Sequence, residues 1–116
     1  MKVKPRDIPA LLKAIDPSVR AVLVFGRDEG LARERADLIS KQVAPDLSDP
    51  FQVVKPSGED IKNSPSLLLD EVAAISMMGG RRLVRLDSVG NEVTEATKLM
   101  LESDLGDGLL VMTAGD

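Results

Sequence analysis

Ala21-Val22-Leu23-Val24-Phe25 is five apolar residues in a row, stopped by Gly26 and continued by Arg27-Asp28-Glu29-Gly30-Leu31. A continuous apolar run of this length, lacking the alternation of a half-exposed strand, reads as a strand buried on both faces of a parallel sheet. Asp28 is placed to cap the next helix. That predicted helix carries Leu31, Arg35, Leu38, Ile39 and Val43 on one face and turns Arg33, Glu34, Asp37 and Lys41 to water, until Pro45 stops it. A buried strand running directly into an amphipathic helix is half of a β-α-β unit, and the rest of the chain repeats the pattern.

Upstream, Asp7 caps a short helix over residues 7–15 with Ile8, Leu11, Leu12 and Ile15 on one face, closed by Asp16-Pro17. Downstream, Phe51-Gln52-Val53-Val54-Lys55 is a second strand closed by Pro56-Ser57-Gly58. Ser64-Pro65 reads as an N-cap and first helical residue ahead of Leu67, Leu68, Val72 and Ile75, and Gly79-Gly80 ends any helix that continues past Ile75. Arg82-Leu83-Val84-Arg85-Leu86 is a third strand, Asn91 caps a helix bearing Val93, Ala96, Leu99, Met100 and Leu105, and Leu109-Leu110-Val111-Met112 is a fourth strand. Strands alternating with helices imply an α/β fold, a parallel sheet covered by helices on both faces in three layers. Residues 1–116 read as one domain. Ala114-Gly115-Asp116 comes directly after a strand, where such a domain normally continues, so we expect a piece of a longer protein.

Composition narrows the chemistry. Among 116 residues there is no His, Cys, Trp or Tyr, and 15 Lys and Arg stand against 19 Asp and Glu, for a net charge of −4. Without imidazole or thiol there is no Ser-His-Asp triad, thiolate nucleophile, zinc finger or disulfide. Phe25 and Phe51 sit in apolar runs that look like core, which leaves no aromatic platform for stacking bases. No apolar segment approaches the length of a membrane span, and the opening residues lack the apolar stretch of a signal peptide. We expect a cytoplasmic binding domain with no cofactor or metal.

The first strand-loop-helix is where a nucleotide-binding sheet cradles phosphates. A working phosphate loop needs G-x-x-x-x-G-K-[ST]. Here Gly26 and Gly30 are one residue too close, Leu31 stands where a lysine is wanted, and Asp28 and Glu29 would repel a triphosphate. The loop Gly26, Asp28, Glu29, Gly30 is therefore degenerate and not expected to bind; its plain reading is a tight turn shaped by the glycines and a helix cap at Asp28. A rival reading takes Asp28, Glu29 and Asp87 as magnesium ligands of a phosphate-binding, receiver-like domain, although no lysine ends the fourth strand. Arg81, Arg82 and Arg85 would serve a DNA-binding reading, which the acidic total disfavours.

Ile75-Ser76-Met77-Met78-Gly79-Gly80-Arg81-Arg82 is the second feature. Adjacent helical residues lie about 100° apart, so two large apolar neighbours cannot both face inward. Flexible thioethers suit entry into a partner's pocket, with Arg81 and Arg82 at the rim; the bland alternative puts one Met in the core.

Taken in order, the strand and turn over residues 22–31, Arg33-Glu34-Arg35, Asp49-Pro50-Phe51, Ser76-Met77-Met78-Gly79-Gly80-Arg81-Arg82-Leu83-Val84 and Val111-Met112-Thr113-Ala114-Gly115-Asp116 resemble the N-terminal domain of the delta subunit of bacterial DNA polymerase III, the clamp loader. The resemblance covers essentially the whole chain but only the first of that family's domains. It implies a P-loop-like, AAA+-like sheet that binds no ATP, and a role in DNA replication: gripping the beta sliding clamp and helping to open the ring. By the match, Met77 and Met78 are the anchors, with Ser76, Gly79, Gly80 and Arg81 beside them, in a place where the family commonly carries leucine then phenylalanine. The helix before them, residues 67–75, is implied to press on the clamp. Further implied partners are the gamma/tau and delta prime subunits and DNA. The holoenzyme is a DNA-directed DNA polymerase, a nucleotidyltransferase; this domain is expected to make or break no bond.

Overall fold

The computed structural model describes residues 19–50, 52–73, 81–102 and 108–115. Four parallel strands, β1 (Ala21–Phe25), β2 (Val53–Val54), β3 (Leu83–Leu86) and β4 (Leu109–Ala114), lie side by side in the order β1-β4-β3-β2. The helices are α1 (Glu29–Ser40), α2 (Gly58–Asn63), α3 (Ser66–Ala73) and α4 (Thr94–Glu102), the last preceded by a 3₁₀ turn, Asn91–Val93. The register is fixed by pairs such as Val22 with Val111 and Val84 with Leu110.

This strand order explains the layers. From β1 the chain steps across the sheet to β2, then returns through β3 to β4, so right-handed connections send the first helix to one face and the later helices to the other. The cores agree. Ala32, Ala36 and Ile39 of α1 pack on Val22, Val24, Val53, Leu83, Leu109 and Val111, while Ile61, Leu68, Val72, Ala96 and Met100 of the other helices pack on Val84, Leu86, Leu110 and Met112. Successive strand residues alternate between the two cores, and both are apolar, which is why the strands read as unbroken apolar runs.

Several expectations need correction. The buried face of α1 is Ala32, Ala36, Ile39 and Ser40, whereas Leu31 and Leu38 are 40% and 46% exposed. Small alanines let the helix lie close to the sheet, and Asp37, expected in water alone, turns to an arginine of β3. Phe25 is not core: at the end of β1 it is 40% exposed. Ser57 does not close a strand but caps α2, accepting from the Asp60 amide at 3.1 Å. β2 is correspondingly short. Ser64 is the C-cap of α2, and the next helix begins two residues later at Ser66. Asn91 does not cap a helix; it opens the 3₁₀ turn, and the Glu92 carboxylate takes the Gly90 amide at 3.0 Å. Leu99 is exposed rather than on the buried face of α4. The helix expected over residues 7–15, and Phe51, Ile75 and Leu105, lie outside the described residues.

Candidate functional site

In an open α/β sheet, ligands gather at the carboxyl ends of the strands where helices diverge to opposite faces. Here that edge carries the loop after β1, Asp87 and Ser88 after β3, and Ala114-Gly115 at the end of β4. The Asp28 carboxylate accepts the Leu31 amide at 3.0 Å, so one of the free donors that a phosphate would need at the start of α1 is already used. The Gly26 amide donates to the Ala114 carbonyl at 3.3 Å, extending the β1–β4 ladder. Gly26 has open space where a Cβ would stand, and Gly30 belongs to the first turn of α1. The helix cap expected at Asp28 is present, and Gly30 lies within the helix rather than in a turn ahead of it.

Asp87 is held as firmly. Its Oδ1 accepts from Arg85 Nε at 3.0 Å, Arg85 Nη2 at 2.9 Å and Thr113 Oγ1 at 3.1 Å. The Thr113 hydroxyl in turn accepts the Ser88 amide at 2.9 Å, and Ser88, at φ 55°, receives the Arg33 guanidinium at 3.0 Å. Asp28, Glu29 and Asp87 are not drawn together: among the described residues no group of three acidic side chains could hold a metal ion. The arginines of the DNA reading do not share a surface either. Arg85 is buried on the α1 side of the sheet, and Arg82 is ion-paired with Glu71 at 2.9 Å.

A groove of about 460 Å³ opens beside this edge on the α4 side, lined chiefly by Leu23, Val89, Val93, Leu101 and Met112. Among the described residues Lys98 is its single charged lining side chain. That lining can hold apolar matter but supplies no acid-base pair.

The other candidate from the sequence is the segment 76–81. Ser76, Met77, Met78, Gly79 and Gly80 are outside the described residues. The flanks are placed. On one side the Val72 carbonyl accepts the Gly108 amide at 3.3 Å, and on the other the Arg82 carbonyl accepts the Leu109 amide at 2.8 Å. Within α3, Leu68 and Val72 are buried in the core, Asp70 is exposed, and Leu67, Leu69, Glu71 and Ala73 are half-buried. Arg81 turns its guanidinium onto the Val19 carbonyl at 2.5 Å.

Sequence reading passes over Gln52. Its carboxamide nitrogen donates to the Val43 carbonyl at 2.8 Å and the Arg81 carbonyl at 2.9 Å. The one available signal is a polar residue at the head of an apolar strand.

None of the protein-family models, curated protein sequences or solved structures compared with the chain matches it. No helix among the described residues is long and apolar enough to cross a membrane.

Proposed function

We propose that this chain is the clamp-binding, N-terminal domain of a delta-type clamp-loader subunit. It grips the beta sliding clamp through the turn at residues 76–81, with Met77 and Met78 as apolar anchors. The sheet is read as a P-loop-like, AAA+-like scaffold working in the cytoplasm during DNA replication, beside the gamma/tau and delta prime subunits. One observation carries the reading: at the edge where such a sheet would hold a nucleotide, the polar groups are spent on internal contacts, Asp28 on its own helix and Asp87 on Arg85 and Thr113. A scaffold of that kind has surface rather than chemistry to offer. A surface that fits the opened ring better than the closed one shifts the ring's population toward opening, with no bond made or broken.

The test is calorimetric titration against the sliding clamp of the source organism. Burying one Met side chain contributes roughly 1.5–3 kcal/mol, so the double change Met77→Ala/Met78→Ala weakens binding by about 10²- to 10⁴-fold. Unchanged affinity in a folded variant overturns the anchor assignment, and absence of binding by the unaltered chain overturns the function.

A further inference from the structure

We infer that the groove on the α4 side of the sheet is a binding site for a small amphipathic carboxylate, its apolar chain held in the groove and its anionic end at Lys98. The position of this site depends neither on residues 76–80 nor on the clamp-binding reading.

The groove stands where an open sheet has room for a ligand. Leu23 of β1 and Met112 of β4 are register partners near the carboxyl ends of their strands, and both line it. α1 packs on one face of the sheet and α4 on the other, the divergence at which such sheets bind small molecules. Its volume of about 460 Å³ falls within the range of small-molecule sites, roughly 300–1,000 Å³.

The lining suits an aliphatic chain. Val93 and Met112 are buried members of the α4-side core, and Leu23 and Val89 pack against that core, so a chain lying in the groove continues an existing apolar layer. α4 turns Thr94, Thr97, Lys98 and Leu101 toward it, the spacing of one helical face. Leu101, at 51%, is the most exposed large apolar side chain among the described residues, and an aliphatic ligand here would cover it.

The polar groups set the other end of the ligand. Among the described residues Lys98 is the single charged side chain of the lining. It forms no ion pair among them, although Glu95 and Glu102 lie one turn away on the same helix. One cation suits one carboxylate, whereas a phosphate would call for several converging donors. The Thr97 hydroxyl already donates to the Val93 carbonyl at 2.9 Å, so it has no proton to offer. The groove therefore binds without reacting.

The experiment is an NMR titration of the 116-residue chain with sodium octanoate, and with 1-octanol as the uncharged probe of the same length. Octanoate is expected to shift the amide signals of residues 89–94 and 112–115 saturably. Lys98→Gln is expected to weaken octanoate about two- to fivefold, the range of an exposed ion pair, and to leave octanol unchanged. Leu101→Gln is expected to weaken both probes about three- to tenfold. Leu38→Gln, at a similarly exposed leucine of α1, is the control and changes neither. All three positions are exposed, so the variants keep the fold. Absence of a saturable shift with octanoate, or a loss in Leu38→Gln as large as in Leu101→Gln, overturns the site. Equal losses of both probes in Lys98→Gln overturn the carboxylate assignment. If octanoate fails and a blocked tripeptide of two leucines and a glutamate binds, the ligand class is overturned in favour of a protein partner. Failure to bind the sliding clamp leaves all of these outcomes as they stand.

Discussion

The Arg85 guanidinium, only 4% exposed in the third strand of the sheet, meets the Asp37 carboxylate of α1 at 2.6 Å. It is a charged residue in the α1-side core, made tolerable by Asp37, by Asp87 at 2.9 Å and by the Ser40 hydroxyl at 3.4 Å. Burial of an unpaired cation would cost several kcal/mol, so the pairing is a condition of β3 occupying this place.

Removing either side of that pair has unequal results. Arg85→Ala deletes packing as well as charge and leaves two carboxylates that water can still reach; we expect about 2–3 kcal/mol of lost stability by urea unfolding. Asp37→Ala leaves Arg85 with Asp87 and Ser40 and is expected to cost less, about 1–2 kcal/mol. The order of the two variants is the checkable point.

Asp28→Ala removes the cap of α1 and is expected to lower stability by about 1 kcal/mol, while Asp28→Ser, which keeps an acceptor for the Leu31 amide, stays within a few tenths. Urea unfolding of the three proteins distinguishes a cap from a residue with some other role.

Gly108→Ala is expected to be among the most damaging small substitutions. A Cβ there would stand 2.6 Å from the Val72 carbonyl oxygen and 3.1 Å from its Cα, both backbone atoms that cannot swing aside. The cost of such crowding is about 1–3 kcal/mol. Gly26→Ala, with nothing within 4 Å, serves as the control and is expected to leave the melting temperature nearly unchanged.

Two carboxylates set an acid limb. The Gly90 amide, then its own amide, hold the Glu92 carboxyl below its ordinary value; the Ser48 hydroxyl and amide do the same for Asp46. Because the folded pKa values are the lower ones, the unfolded chain takes up protons first as pH falls. The stabilisation is therefore complete above the ordinary carboxylate range, about pH 4, and is lost as pH drops through the folded values. Glu92→Gln and Asp46→Asn are each expected to flatten the decline of stability between about pH 5 and pH 3, measured by circular dichroism.

How much of this is legible in the sequence depends on whether the decisive partner is near along the chain. β1 and β4 are readable because strands buried on both faces must be apolar throughout. The Asp28 cap is readable because it acts on a neighbour three residues away. The buried face of α1 is easily misread, since large residues outweigh alanines in a periodicity, yet close packing on a sheet favours Ala32 and Ala36. Arg85 gives no sign of being interior, because what makes it so, Asp37, is 48 residues distant. α2 is hidden by Pro56-Ser57-Gly58, which reads equally as a turn and as the lead into a capped helix. The expected role of Met77 and Met78 is a matter of residue type and resemblance, whereas the two bonds of the Gln52 carboxamide depend on carbonyls brought together from residues 43 and 81.

The strand order has a consequence in time. β1 is hydrogen-bonded to β4 and, among the described strands, to no other, although the two strands stand at opposite ends of the strand sequence and pair Ala21 with Leu110. A ribosome releases β1, β2 and β3 well before the strand that joins the first to the third. Until then Val22 and Val24 lack their sheet partner, so the nascent chain carries an incomplete apolar surface from β1 until β4 emerges, and closes it in a single long-range step.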